Sequence, residues 1–301
     1  MEHALTLDRV TKAFGDLRAV DEISLAVPRG TIYGFLGPNG AGKTTALRMI
    51  MSILYPDAGT IEVLGHQNPE AVKDRLGYLP EEKGLYKKMK TAELVTYFGR
   101  LKGLSAAVAN RRARDMLGRF GLGDWTDKKC ETLSKGMSQK VQILATLIHE
   151  PELVILDEPF SGLDPVNVDV VRDLILEMKR DGRTVIFSTH VMEQAEKICD
   201  AILLIDRGRK VLDGSLAEVK TAGPRTIVVD YDGDGSVFRS LPRVTRVNDS
   251  GKQAELTLAD GANPQEVLRL LIDRLTIRRF DTREPSLHEI FIRAVAGTSD
   301  A

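Results

Sequence analysis

The chain lacks a long apolar run. The longest, residues 201–205, spans five residues, whereas a helix needs about 20 to cross a bilayer. A membrane span is therefore not expected. Charge of one sign is lacking too: 42 Lys+Arg face 43 Asp+Glu, for a formal net charge of −1. That balance argues against a protein that coats nucleic acid by bulk electrostatics, and nucleic acid is not an expected partner. Cysteine is scarce. Cys130 and Cys199 form no CxxC pair, which argues against a disulfide scaffold or a zinc site and for two reduced thiols. The first twenty residues carry Glu2, Asp8 and Asp16 and no signal-peptide apolar core.

What is present is ample core material: 301 residues, 43% of them hydrophobic. That length builds one large domain or two ordinary ones. Apolar, β-prone stretches lie at 32–36, 153–156, 185–187 and 201–205. Helical patterns lie at 44–53, 91–102, 108–120, 137–149 and 168–179. Strands apolar on both faces and separated by helices predict a mainly parallel sheet with helices on both sides. Residues 90–150 show helices but no strand and read as a helical insertion. Residues 5–10, 20–27 and 31–36 read as shorter strands of an antiparallel or mixed flank. A boundary is expected near 221–225, where TAGPR combines Gly and Pro. This gives domains 1–220 and 221–301. The second reads strand, short helix or loop, strand, turn, strand, helix, strand, helix. Ser286 and Glu289 stand at capping-box spacing before the last helix. That order fits a small α+β sandwich of the split βαβ type.

Residues 37–44 read GPNGAGKT and match G-x-x-x-x-G-K-[ST]. Gly37, Pro38, Asn39, Gly40, Ala41 and Gly42 form a loop whose backbone N–H groups curl around a phosphate, where large side chains would block the approach. The helix that follows turns its positive end toward the anion. Lys43 neutralises β- and γ-phosphate charge, and the Thr44 hydroxyl, followed by Thr45, suits Mg²⁺. Further on, LVILDE at 153–158 ends an apolar strand in two carboxylates. A strand ending in Asp delivers that group to the sheet edge where α/β folds bind ligands. Asp157 is then a ligand for Mg²⁺ through water, and Glu158 a base for attacking water.

With these two motifs and five further elements, the sequence resembles the ATP-binding subunits of ABC transporters over roughly residues 4–215. LSKGMSQK at 133–140 resembles the ABC signature, usually LSGGQ: Ser134 and Gly136 match, Lys135 and Met137 depart. A helix N-cap alone would also explain an LSxG before a helix. SGLDP at 161–165 resembles the D-loop, with Asp164 at a dimer seam. STH at 188–190 resembles the switch loop, with His190 on the γ-phosphate. Phe14 matches the aromatic that stacks on adenine; a core Phe is the other reading. In LGYLPEEKGLY, Glu81 stands where most relatives place Gln. A terminal EPSLHEIF completes a likeness to bacterial exporter ATPases, some linked to sodium or drug efflux, that carry an extra C-terminal domain.

The resemblance implies an α/β fold: a P-loop NTPase nucleotide-binding domain with a mixed β flank and a helical insertion, plus a small α+β C-terminal domain. It implies ATP and Mg²⁺ as cofactors, with Thr44, Asp157 and Glu81 near the metal and Glu158, His190 and Lys43 catalytic. It implies a head-to-tail dimer with a second copy or a homologous subunit, in which Ser134 and Gly136 face the nucleotide of the partner. It also implies an integral membrane permease received near residues 81–89, and a cytoplasmic, peripheral place at the inner face of the cell membrane. A soluble ATP-gated regulator is the alternative. The C-terminal domain reads as an added dimer contact or brace, or as a ligand sensor.

Overall fold

The computed structural model describes residues 2–82, 84–221, 225–259 and 261–298. It divides into two compact units, Met1–Gly214 and Ser215–Ala301. The division falls before the break expected at 221–225, of which 222–224 lie outside the described residues.

The first unit runs β1 (His3–Phe14), β2 (Leu17–Pro28), β3 (Ile32–Leu36), α1 (Lys43–Ile50), β4 (Ala58–Val63), β5 (Leu76–Leu79), α2 (Thr91–Leu101), α3 (Ala106–Arg119), α4 (Lys135–Leu147), β6 (Leu153–Asp157), α5 (Pro165–Arg180), β7 (Thr184–Thr189), α6 (Met192–Ile198), β8 (Ala201–Asp206) and β9 (Arg209–Ser215). β2, β1 and β4 form an antiparallel sheet. A six-stranded sheet has the order β5-β6-β7-β3-β8-β9, in which β5, β6, β7, β3 and β8 run parallel. Every residue of β3, β6 and β7 is buried, as two-sided cover by helices and the second sheet requires.

One expectation is corrected here. The run 31–36 does not belong to the antiparallel flank; β3 is an inner strand of the parallel sheet, between β7 and β8. Its five residues, four of them with large side chains, are all buried and could not face solvent on either side. α2, α3 and α4 occupy the region expected to be a helical insertion and share a core that includes Leu94, Leu117, Val141 and Leu144. Both cysteines are buried and free. Cys199 fills the space above Gly34, where an added Cβ would lie 2.8 Å from its Sγ.

The second unit runs α7 (Leu216–Thr221), β10 (Thr226–Asp232), β11 (Val244–Asp249), β12 (Gln253–Leu258), α8 (Pro264–Ile272), β13 (Thr276–Arg283) and α9 (Leu287–Thr298). Its sheet has the order β11-β12-β10-β13 with antiparallel neighbours throughout. β10 and β11 therefore point the same way with β12 between them, a split βαβ arrangement. A 3₁₀ turn, Gly235–Ser240, makes the first crossover. Ile227, Val229, Leu256, Phe238 and Leu271 build this unit's own core.

Candidate functional site

The parallel register brings three chain segments to one edge. Asp157 at the end of β6 pairs with Ser188 on β7, and Leu36 at the end of β3 pairs with Thr189. The residues that follow, 37–43, 158 and 190, therefore share one end of the sheet. This is where open α/β sheets hold ligands.

The loop between β3 and α1 is shaped by glycine. Gly42 has φ 106, and a Cβ there would lie 2.2 Å from the Ala19 carbonyl oxygen. Gly40 also has positive φ, but a Cβ there would meet nothing within 4 Å. The first glycine packs the loop against β2, and the second keeps its outer side open for an anion. Lys43 is buried, and its Nζ donates to the carbonyls of Gly37 at 2.8 Å and Pro38 at 3.0 Å. Burial pulls its pKa below the ordinary lysine range, while Glu158, Asp157 and Glu81 push the other way. Lys43 Nζ lies 3.7 Å from Glu158 Oε1.

Asp157 and Glu158 are both buried. Thr44 Oγ1 donates to Asp157 Oδ1 at 3.2 Å, and Ser188 Oγ donates to the same oxygen at 2.5 Å. Glu158 N donates to Ser188 Oγ at 2.9 Å. Ser188 thus fixes both acids, a role the STH motif did not disclose. Among the described residues, Asp157 Oδ2 is buried with no hydrogen-bond partner. A buried unpaired carboxylate oxygen is costly, and a hard cation is the group that would pair with it. Glu158 has φ 48, a strained conformation for a non-glycine residue that is characteristic of functional sites. Its Oε1 lies 3.0 Å from His190 Nδ1. Among the described residues no group of three or more His, Cys, Asp or Glu forms a ready metal cage. One carboxylate and one hydroxyl beside a phosphate is instead the donor set Mg²⁺ accepts, with water completing it.

A cleft of about 620 Å³ opens over this edge. Phe14, Asn39, Gly40, Gly42, Lys43, Thr44, Thr45, Glu81 and Glu158 line it. Phe14 is 48% exposed, so it is not a core residue. Arg18 and Arg207 also line the cleft and had not been singled out. Arg18 lies at the start of β2 and Arg207 in the turn before β9, segments far apart in sequence that meet where Gly208 O accepts from Asp21 N at 2.8 Å, while Gly208 N donates to Ala41 O at 2.9 Å.

Ser134, Gly136 and Asp164 are not among the residues lining that cleft. Ser134 caps α4, its Oγ accepting from Met137 N at 3.2 Å. Asp164 caps α5, accepting from Asn167 N at 3.0 Å, and those bonds hold its carboxyl below the usual range. Gly136 packs against Asn167, whose Nδ2 donates to Asp164 Oδ2 at 2.6 Å. The two segments are thus tied to each other, and Ser134 and Asp164 are exposed.

A second, smaller groove of about 290 Å³ lies between β5 and the helical insertion, lined by Leu79, Pro80, Glu82, Leu85, Phe98 and Gln142 among others. His149 also lines it. Its Nε2 meets Leu76 O at 3.0 Å, and its Nδ1 and Gln142 Oε1 are buried without a partner among the described residues.

A family model described as "ABC transporter" matches residues 20–161, and one described as "ATP-binding protein DrrA1-3-like, C-terminal domain" matches residues 214–295. The chain is similar to an uncharacterized ABC transporter ATP-binding protein, YhaQ, of Bacillus subtilis (strain 168), with 40% identity covering 97% of this chain and 98% of that one. It is also similar to Nod factor export ATP-binding protein I of Ralstonia nicotianae, with 33% identity over 96% of this chain and 92% of the relative. A solved ATP-binding subunit of an ABC transporter superposes with TM-score 0.66 and 30% identity, covering 73% of this chain and 92% of that structure. Buried P-loop lysine, paired acids, cleft and family matches agree: this chain belongs to the ATP-binding subunits of ABC transporters, which bind and hydrolyse ATP.

Proposed function

We propose that the protein is the energy-supplying subunit of an exporter, that it works as one half of a head-to-tail pair, and that a separate membrane permease receives its motion. The observation that carries the pair is the division of the site. Lys43, Thr44 and Glu158 line the cleft at one sheet edge and Thr44 and Glu158 bond there to Asp157 and His190, while the exposed Ser134 and Asp164 bond to their own helix starts and are not among its lining residues. A second copy placing its own 134–136 segment over the phosphates would complete the enclosure.

In this reading Phe14 stacks under the adenine and residues 37–45 wrap the phosphates. Thr44 and Asp157 would hold Mg²⁺, with Glu81 beside it. When bound, the ion would neutralise phosphate charge. Burial lowers the pKa of Lys43 and its acidic neighbours oppose that shift; its ammonium form balances charge that develops on the γ-phosphate. Glu158 orients a water and accepts its proton. His190, hydrogen-bonded to Glu158, positions that carboxylate and faces the phosphate. Closing the pair excludes bulk solvent, which strengthens each of these contacts.

The apolar groove beside Glu82 and Leu85, with its unpaired His149 Nδ1 and Gln142 Oε1, supports docking of the permease near residues 81–89. Among the described residues no helix is long and apolar enough to cross a membrane, so a peripheral place at the inner membrane face requires that partner. The Nod factor export relative supports outward transport.

The pair is tested by mixing a Ser134→Arg chain with a Lys43→Ala chain. Each alone is expected to be inactive, and the mixture to regain at most one working site per pair. Full activity from either variant alone would sink the shared site. Recovery of the protein from membranes with a multi-helix partner tests the permease reading; a chain always recovered without one would count against it.

A further inference from the structure

We propose that Glu81 and Lys135 form a charge pair across the seam of the head-to-tail dimer, Glu81 from the cleft of one subunit meeting Lys135 beside Ser134 of the other. The inference rests on the head-to-tail reading above and adds to it a residue pair that senses closure.

Glu81 lines the nucleotide cleft together with Lys43, Thr44 and Glu158. With Asp157, three carboxylates surround the phosphate end, and Lys43 is the buried cation among them. A triphosphate brings more negative charge to the same place. Like charges in a partly desolvated cleft repel far more strongly than in water. Arg18 and Arg207 also line the cleft but are already paired with Asp21 and Asp206, so Glu81 is left with unmatched charge: it is exposed and, among the described residues, makes no ion pair. Its field reaches the phosphate lysine, whose ammonium form it favours.

Lys135 carries the opposite excess. It follows Ser134 directly, is exposed, and makes no ion pair among the described residues. Its side chain runs across Gly162, where an added Cβ would lie 2.0 Å from Nζ. Gly162 has φ +68 and no side chain, so the backbone there leaves a bed for the lysine stem. The ammonium is therefore held between the 134–136 and 161–164 segments, the two surfaces assigned to the seam. These two positions are also, with Met137, places where the chain departs from the motifs it resembles. One replaces a neutral Gln by an acid, and the other replaces a Gly by a base. In this reading the two exposed, opposite charges meet between subunits.

Such a pair forms when the dimer closes and breaks when it opens. Residue 81 also begins the 81–89 segment proposed to receive the permease. Closure would therefore pull directly on the docking segment, linking nucleotide occupancy to the membrane partner through one ion pair.

The test uses charge reversal in the full chain, in a Glu158→Gln background that slows hydrolysis, with ATP-dependent self-association read by sedimentation. Glu81→Lys alone and Lys135→Glu alone are each expected to weaken association by about tenfold or more, the effect of like charges at a seam. The double variant is expected to recover to within about threefold of its parent, because a favourable seam is rebuilt with the signs exchanged. It should also fail to pair with the unreversed chain, since both seams of that mixed dimer would carry like charges. Capture between differently tagged copies reads this directly. A double variant as weak as the weaker single would overturn the pair. Free mixing of double and unreversed chains would overturn its placement between subunits. Absence of ATP-dependent association in the parent chain would instead overturn the head-to-tail reading, and the pair with it.

Discussion

At the end of β6, Asp157 is fully buried and its Oδ2 has no partner among the described residues. In the C-terminal unit, the buried Tyr231 hydroxyl donates to Asp249 Oδ1 at 2.8 Å, and Gly251 N donates to the same oxygen at 2.9 Å. The first centre is left incomplete, while the second carries its own bonds. Around Asp157 there is also a residue at φ 48, a buried lysine and a cleft. Around Tyr231 there are an edge-on contact with Phe238, at 4.8 Å between ring centroids, and apolar core. Unmet polar groups are a cost a fold keeps where a ligand will meet them. Satisfied ones are there to hold shape. On this contrast the incomplete polar centre lies in the first unit, and the one around Tyr231 is satisfied within the second.

The comparison can be broken in four places, taken in order of expected effect. Glu158→Gln should keep ATP binding and lower turnover by about 10²–10⁴-fold, the usual worth of a general base. Steady-state ATPase and equilibrium nucleotide binding check this, and an undiminished rate would remove Glu158 from the chemistry. Asp157→Asn should lower Mg²⁺-dependent ATP affinity by about tenfold or more, since metal-bound carboxylates are poorly replaced by amides. The same variant should leave the nucleotide-free fold as stable as before or up to about 1 kcal/mol more stable, because an unpaired buried charge is gone. Denaturant unfolding with and without Mg·ATP reads both. Phe14→Ala should raise KM for ATP about tenfold with kcat little changed, as loss of one stacked base contact costs about 1–3 kcal/mol. Tyr231→Phe should cost about 0.5–1.5 kcal/mol of stability, the worth of one hydrogen bond, and leave KM and kcat unmoved. If Tyr231→Phe changed turnover while Asp157→Asn destabilised the empty protein, the assignment of roles to the two units would be reversed.

How far the sequence showed these features follows from their locality. The phosphate loop is local: a strand, four fixed positions and a helix in one continuous stretch, so Gly37 to Thr44 were readable at once. The acids at 157 and 158 were readable because an apolar run must end at a sheet edge. Strand order was not, which is why 31–36 was placed in the flank although its two-sided apolarity suited an inner strand. β4 and β9 are half-exposed and β5 has four residues, too little pattern to separate from loop. Arg18 and Arg207 reach the cleft only because the turn before β9 lies against β2, a contact between residues almost two hundred positions apart. Ser188 was quoted within a motif, yet its bridge to Asp157 and Glu158 depends on β6 and β7 being neighbours. His149 and Gln142 meet β5 only after α4 packs beside it. At Ser134 the helix-cap reading is correct within one chain, and Asp164 caps α5 in the same way. Any service to a second chain is added to it, because an exposed N-cap oxygen and the helix end behind it remain accessible.

The two buried cysteines have a practical consequence. Burial pushes the Cys199 thiol well above its ordinary pKa and raises that of Cys130. Both are shielded from reagents that modify thiolates, so the native chain presents a surface without reactive sulfur. One cysteine placed at an exposed position such as Ser134 would then be a unique chemical handle. Two labelled copies would carry one probe each, and the distance between probes would report opening and closing in real time without removal of a native residue from the core.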